Sequence, residues 1–110
     1  MSISGQVALD KSGNLVGAGD FEAQCVQVFE NLKSALASVG LTFTDVIRTD
    51  HYITDIEHLP VLREVRSRYL PAQNRPASTL VQVDSLFRPD LMVEVSVDAI
   101  KRDVESTSRN

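Results

Sequence analysis

A chain of 110 residues has room for one hydrophobic core and one domain. Its 43% hydrophobic and 24% charged residues are ordinary for a globular domain in water, and no apolar run approaches the roughly 18 residues of a membrane span. The net charge of −4, with lysines and arginines scattered, argues against a nucleic-acid partner, because phosphate contacts need clustered positive charge.

In chain order, "SISGQVALDKSGNLVG" reads as a strand through Ile3, Val7 and Leu9, a turn at "DKSGN" and a short returning strand. In "DFEAQCVQVFENLKSALASVG", Phe21, Cys25, Val28, Leu32, Leu36 and Val39 recur at three- and four-residue spacings, which predicts a helix. Asp20 is placed to cap its N-terminus and Gly40 to stop it. "DVIRTDHYITD" is rich in β-branched and aromatic residues, predicting a strand over 46–53. "EHLPVLREVRSRYLP" predicts a second helix with Pro60 in its first turn; Leu62, Val65 and Tyr69 share a face and Pro71 ends it. "STLVQV" is a strand. In "LMVEVSVDAI", Leu91, Val93, Val95, Val97 and Ala99 alternate with Met92, Glu94, Ser96 and Asp98, the pattern of a strand with two unlike faces.

The predicted order is ββ-α-β-α-ββ. Two helices cannot cover both faces of a four- or five-stranded sheet, so both are expected on one face. The face bearing Met92, Glu94, Ser96 and Asp98 is too mixed for a core and too apolar to stay wet, which predicts a symmetric neighbour as its cover.

Four pieces in this order carry a resemblance: "SGQVALD", "FEAQCVQVFENLKSALASVG", "DVIRTDHYITD", and "RPASTLVQVDSL" followed by "LMVEVSVDAIKR". Together they resemble the RidA/YjgF (Rid) superfamily over residues 1–102, one domain, with 103–110 as a frayed tail. The resemblance implies an α+β, chorismate-mutase-like fold: a single sheet with two helices on one face, assembled as a homotrimer with ligand clefts between subunits. It also implies hydrolysis of reactive enamines and imines to keto acids and ammonia, without a cofactor or metal.

Two departures from the family pattern matter. Members usually carry a first strand, often with a cleft tyrosine, ahead of the Ser-Gly-Gln element; here Met1, Ser2 and Ile3 alone precede Ser4. Deaminating members also read Pro-Ala-Arg-Ser-(Cys/Thr)-Val at the strand entrance, where the arginine grips the substrate carboxylate. Aligning "VQVDSL" puts Ser78 in the arginine slot and Leu80 in the Cys/Thr slot, with Arg75 three residues early. Arg matters there because its planar fork matches a carboxylate bidentately. If that arginine alone is missing, Ser78→Arg is expected to restore the grip.

By the resemblance, Glu94 corresponds to the cleft glutamate that holds water or the imine nitrogen, and Ser4 and Gly5 to the element whose backbone amide approaches the ligand. Read on its own, Glu94 is a solvated or interface carboxylate, and Gly5 a strand glycine that permits a bulge. Arg63, where many members have a cleft-lining Asn, and Arg75 are the guanidiniums available to replace the missing one; read on their residues alone, each is first a surface or interface ion-pair partner. "RSRYL" reads as two charges on a solvated helix face. Cys25 lies in an apolar stripe and reads as an inert thiol, while His51 and His58 have no evident partner and are assigned to structure. A single cysteine and no charged-then-apolar leader fit a cytoplasmic chain. No cluster at metal-ligand spacing is present.

The sequence thus predicts a cytoplasmic homotrimer binding a small carboxylate or imine between subunits, with weak, altered or no deaminase activity. The alternative is a non-catalytic metabolite-binding trimer. A ribonuclease is disfavoured by the acidic balance, and a dianionic substrate of the chorismate-mutase type by the lack of any arginine cluster in the sequence.

Overall fold

The computed structural model describes residues 1–72 and 75–101, so the predicted tail at 103–110 lies outside the described residues. The elements are β1 (Ser2–Gln6), α1 (Phe21–Ser38), β2 (Val46–Ile53), α2 (Leu59–Ser67), β3 (Ala77–Gln82) and β4 (Val93–Ala99). The strands form one mixed sheet in the order β1-β4-β2-β3. β4 runs antiparallel to β1 and β2, whereas β3 pairs in parallel with β2 after the α2 crossover. This is the expected α+β arrangement, two helices with a single sheet.

The core forms because the α1 stripe meets the apolar row of β4. Phe21, Cys25, Val28, Leu32 and Leu36 are buried with Val93, Val95, Val97 and Ala99, and α2 adds Leu62 and Val65. Asp20 caps α1 by accepting from the Ala23 amide at 3.1 Å, and Gly40 leaves it at φ +77°. Val39, counted in the predicted stripe, is 44% exposed because α1 ends at Ser38. Two further α1 residues are buried outside that stripe, Phe29 and Gln24. Burial pushes the Cys25 thiol up to about 12, so the thiolate needed for nucleophilic chemistry is scarce.

The opening hairpin differs from the predicted pair of strands. β1 stops at Gln6, and the returning strand is reduced to a single bridge between Leu9 and Leu15. The Asp10 carboxylate accepts from the amides of Ser12 and Asn14, both at 2.9 Å, which curls residues 10–14 into a turn of their own. That local bonding competes with ladder formation.

His51, on β2, is 1% exposed, with Nδ1 2.9 Å from the Thr79 carbonyl oxygen. His58 stacks on Phe21 with ring centroids 4.4 Å apart, in keeping with a structural role. Burial lowers the pKa of His51, so the folded chain keeps the ring neutral where the unfolded chain protonates it. The unfolded state therefore binds more protons below its ordinary pKa of about 6.5, and stability is lost as pH falls through that value toward the lower folded pKa. His51→Gln is expected to flatten the fall in melting temperature between pH 7 and 5; an unchanged slope would assign the acid sensitivity to other groups.

Candidate functional site: an arginine-lined pocket between the second helix and the edge strand

α2 is amphipathic in a way that aims charge sideways. Leu62 and Val65 are buried, which turns Arg63 and Arg66, three residues apart and so neighbours on the helix surface, toward the β3 side. On the sheet, Thr49 pairs with Ser78 in the parallel β2–β3 ladder. Thr49 is buried on the helix-covered face, and paired residues project to the same face, so Ser78 faces the helices too. Between these walls lies a cavity of about 540 Å³, lined by Thr49, Arg63, Arg66, Ser67, Arg75 and Ser78, with Leu70, Pro71, Ala72 and Pro76 as its apolar rim.

Arg66 Nη1 donates to Ser78 Oγ at 3.1 Å. Partial burial and the neighbouring charges of Arg75 and Arg63 hold the Arg66 pKa below the usual arginine value. Among the described residues, the lining includes no carboxylate. Among the described residues, Arg48, Arg68 and Arg88 are all ion-paired, with Asp50, with Glu22 and Glu64, and with Asp90, whereas Arg63, Arg66 and Arg75 form no ion pair. Arg75 has only a long contact, Nε at 3.5 Å from the Ala72 carbonyl oxygen. Thr49 is 1% exposed and its hydroxyl has no hydrogen-bond partner among the described residues. A small anion entering here would meet several donors and no competing acid.

The predicted site residues separate into two groups. Ser78, Arg63 and Arg75 line the pocket; Leu80 lies on the same face of β3, two residues further, and packs against the core. Ser4 and Gly5 form a bulge on β1 opposite Ser96, between the Ile3–Val97 and Gln6–Val95 pairs. Gly5 lies under Glu94: a Cβ built there would be 2.0 Å from Glu94 Oε2, so only glycine fits the present side chain. Glu94, half-buried, belongs to the face without helices, opposite Tyr52. Ser78, on edge strand β3, therefore faces the helices, whereas Ser4 and Gly5 on the opposite edge strand β1 gather with Glu94 of the adjoining inner strand β4, whose side chain belongs to the helix-free face. The fold of one chain does not bring the two groups together.

Two readings of the sequence need correcting. "RSRYL" is not uniformly a solvated face: Arg68 pairs outward with Glu22 and Glu64, while Arg66 turns into the pocket and occupies the space beside Ser78. Arginines also do converge on one cleft, Arg63, Arg66 and Arg75. The available signal was the i, i+3 spacing of Arg63 and Arg66 flanking buried Val65.

A family model described as endoribonuclease L-PSP matches residues 1–101. The chain belongs to this family. Among the relatives the chain matches, Protein DfrA of Myxococcus xanthus is 39% identical over 98 residues, 89% of this chain and 72% of DfrA. RutC family protein PH0854 of Pyrococcus horikoshii is 34% identical over 100 residues, 90% of this chain and 77% of that protein. Among solved structures, TM0215 of Thermotoga maritima superposes with a TM-score of 0.86 at 34% identity, covering 94% of this chain and 80% of that one. RidA of the Antarctic bacterium Psychrobacter sp. PAMC 21119 gives 0.79 at 34% identity, covering 87% and 76%. The Rid resemblance read from the four sequence pieces and the matched family thus agree. No helix among the described residues is long and apolar enough to cross a membrane.

Proposed function

We propose that this chain is a cytoplasmic, small-molecule-binding member of its family that takes an imine, enamine or small carboxylate metabolite, with Arg66 in the role of the carboxylate anchor. The observation that carries the reading is the Arg66 Nη1 to Ser78 Oγ contact of 3.1 Å at the wall of the arginine-lined pocket. Ser78 stands where deaminating relatives carry arginine; a guanidinium from α2 reaches that place instead. A bidentate grip on the carboxylate leaves the imine carbon to be attacked by water. Water oxygen bonds to that carbon as the C=N π pair moves to nitrogen, which takes one proton from the water. The resulting hydroxyl then gives its proton to nitrogen as the carbonyl forms and the C–N bond breaks, releasing keto acid and ammonia. Glu94 is proposed to polarise the water.

Because Arg66 stands on the helix-covered side beside edge strand β3 and Glu94 on the helix-free face of inner strand β4, next to edge strand β1, one ligand touches both only across a subunit boundary. A closed ring, in which the β3 edge of one copy approaches the β1 edge of the next, supplies such a boundary three times in a homotrimer. The same assembly covers the half-buried face of Met92, Glu94, Ser96 and Asp98. Sedimentation velocity at micromolar concentration is expected to give a trimer; a monodisperse monomer would remove the shared cleft.

The functional test pairs calorimetric titration of 2-oxobutanoate with hydrolysis of 2-iminobutanoate generated in place by an amino-acid oxidase. Binding with accelerated ammonia release supports an enzyme. Binding without acceleration supports the alternative, a non-catalytic metabolite-binding trimer. The family description names an endoribonuclease, and three guanidiniums converging on one cavity differ from the basic groove that tracks an RNA backbone. Cleavage of single-stranded RNA with no binding of 2-oxobutanoate would replace the present reading.

A further inference from the structure

We infer that the ligand of the arginine-lined pocket is a small dianion, with one anionic charge held by Arg66 and a second by Arg63 and Arg75. This rests on the pocket reading above and specifies its ligand class. A monocarboxylate needs one guanidinium fork. Here three guanidiniums converge in a chain of net charge −4, and the three remaining described arginines all have carboxylate partners. Among the described residues, the pocket arginines have none, although the chain carries 15 acidic residues. Like charges gathered around a concavity repel one another, and one bound negative charge relieves only part of that repulsion.

Two more features suit a ligand with separated polar ends. Arg63 and Arg66 lie along one side of α2 while Arg75 comes from the segment leading into β3, so the cations are spread over two walls. The buried Thr49 hydroxyl, unpartnered among the described residues, sits among the pocket-lining groups and offers a donor or acceptor to the part of the ligand between its charges. The cavity of about 540 Å³ admits a short dicarboxylate with room for water. A doubly charged phosphate would satisfy the same cations at one centre.

The test is calorimetric titration of the intact protein with 2-oxobutanoate, 2-oxoglutarate and inorganic phosphate at fixed ionic strength. The expected result is tighter binding of 2-oxoglutarate than of 2-oxobutanoate by about ten-fold or more, roughly one charge-assisted contact. Arg63→Gln and Arg75→Gln, both exposed positions where folding is readily preserved, are expected to weaken 2-oxoglutarate more than 2-oxobutanoate and so to collapse that ratio to about three-fold or less. Phosphate binding more tightly than 2-oxoglutarate would support a dianion charged at one centre. Equal affinity for 2-oxobutanoate and 2-oxoglutarate, with phosphate no tighter than either, would overturn the dianion and leave the monocarboxylate reading standing. Binding of none of the three would overturn both.

Discussion

Arg66→Ala is expected to weaken binding of a carboxylate ligand by roughly 30- to 1000-fold, the equivalent of about 2–4 kcal/mol for a charge-assisted bidentate grip. The substitution removes the Arg66–Ser78 hydrogen bond but empties no part of the core, since the apolar anchors of α2 are Leu62 and Val65. Melting temperature should hardly move, which separates a binding role from a structural one. The contact also changes what Ser78→Arg is expected to do. On the wild-type background it would add a fourth cation against Arg66 and is expected to lower the melting temperature with no gain in affinity. Placed on Arg66→Ser, it moves the guanidinium back to the strand and is expected to recover at least a tenth of the lost affinity. Titration of the two single variants and the double variant checks this. Retention of full affinity by Arg66→Ala would remove Arg66 from the site and return attention to Arg63 and Arg75.

The second large effect concerns stability. Gln24 is wholly buried on α1, and its amide makes three backbone contacts: Nε2 donates to the Gly17 carbonyl at 3.1 Å and the Asp90 carbonyl at 3.0 Å, and Oε1 accepts from the Met92 amide at 2.9 Å. It thereby fixes the loop before α1 to the entrance of β4. Gln24→Ala leaves three backbone groups without their partner and is expected to destabilise the fold by about 3 kcal/mol, a fall of roughly 12–24 °C in melting temperature for a domain of this size. Gln24→Glu keeps an acceptor for Met92 but buries a charge and faces two carbonyls, and is expected to do no better. A change below about 4 °C in Gln24→Ala, read by differential scanning calorimetry, would show that the loop and strand entrance hold without the clip.

The sequence was most readable where one periodicity dominated. The alternation of 91–99 and the stripe of 21–36 place β4 and α1, and β2 falls at the predicted 46–53 because β-branched residues there meet no helical spacing. Gln24 was invisible to the same reasoning, since a polar residue beside a stripe is ordinarily its wet edge; its burial depends on carbonyls distant in sequence. Arg66 escaped for a related reason. Whether it faces solvent or Ser78 depends on which face of β3 turns toward α2, and that follows from the parallel register of β2 with β3. Period-2 reasoning gives two faces but not their assignment when a strand such as β3 is exposed at most positions. The hairpin was cut short by local chemistry: the Asp10 amide still donates to the Asn14 carbonyl and the Val16 amide to the Ala8 carbonyl, but the Asp10 carboxylate takes the Ser12 and Asn14 amides and the pairing stops at one bridge.

The sheet order has a consequence for how the chain is made. β4, the last of the described strands, is seated between β1, the first of them, and β2, with Ser2 opposite Asp98, 96 residues apart. During synthesis β1 lacks its β4 partner, and β2 and β3 present an open edge where β4 belongs, until β4 leaves the ribosome. α1 likewise waits for Val93, Val95 and Val97 to cover its apolar stripe. Closing so distant a contact makes the sheet slow to complete and exposes unpaired edges meanwhile. Chains halted before residue 93 would lack the centre of the sheet, not its margin, and are expected to be captured by chaperones or to aggregate through the vacant β2 edge.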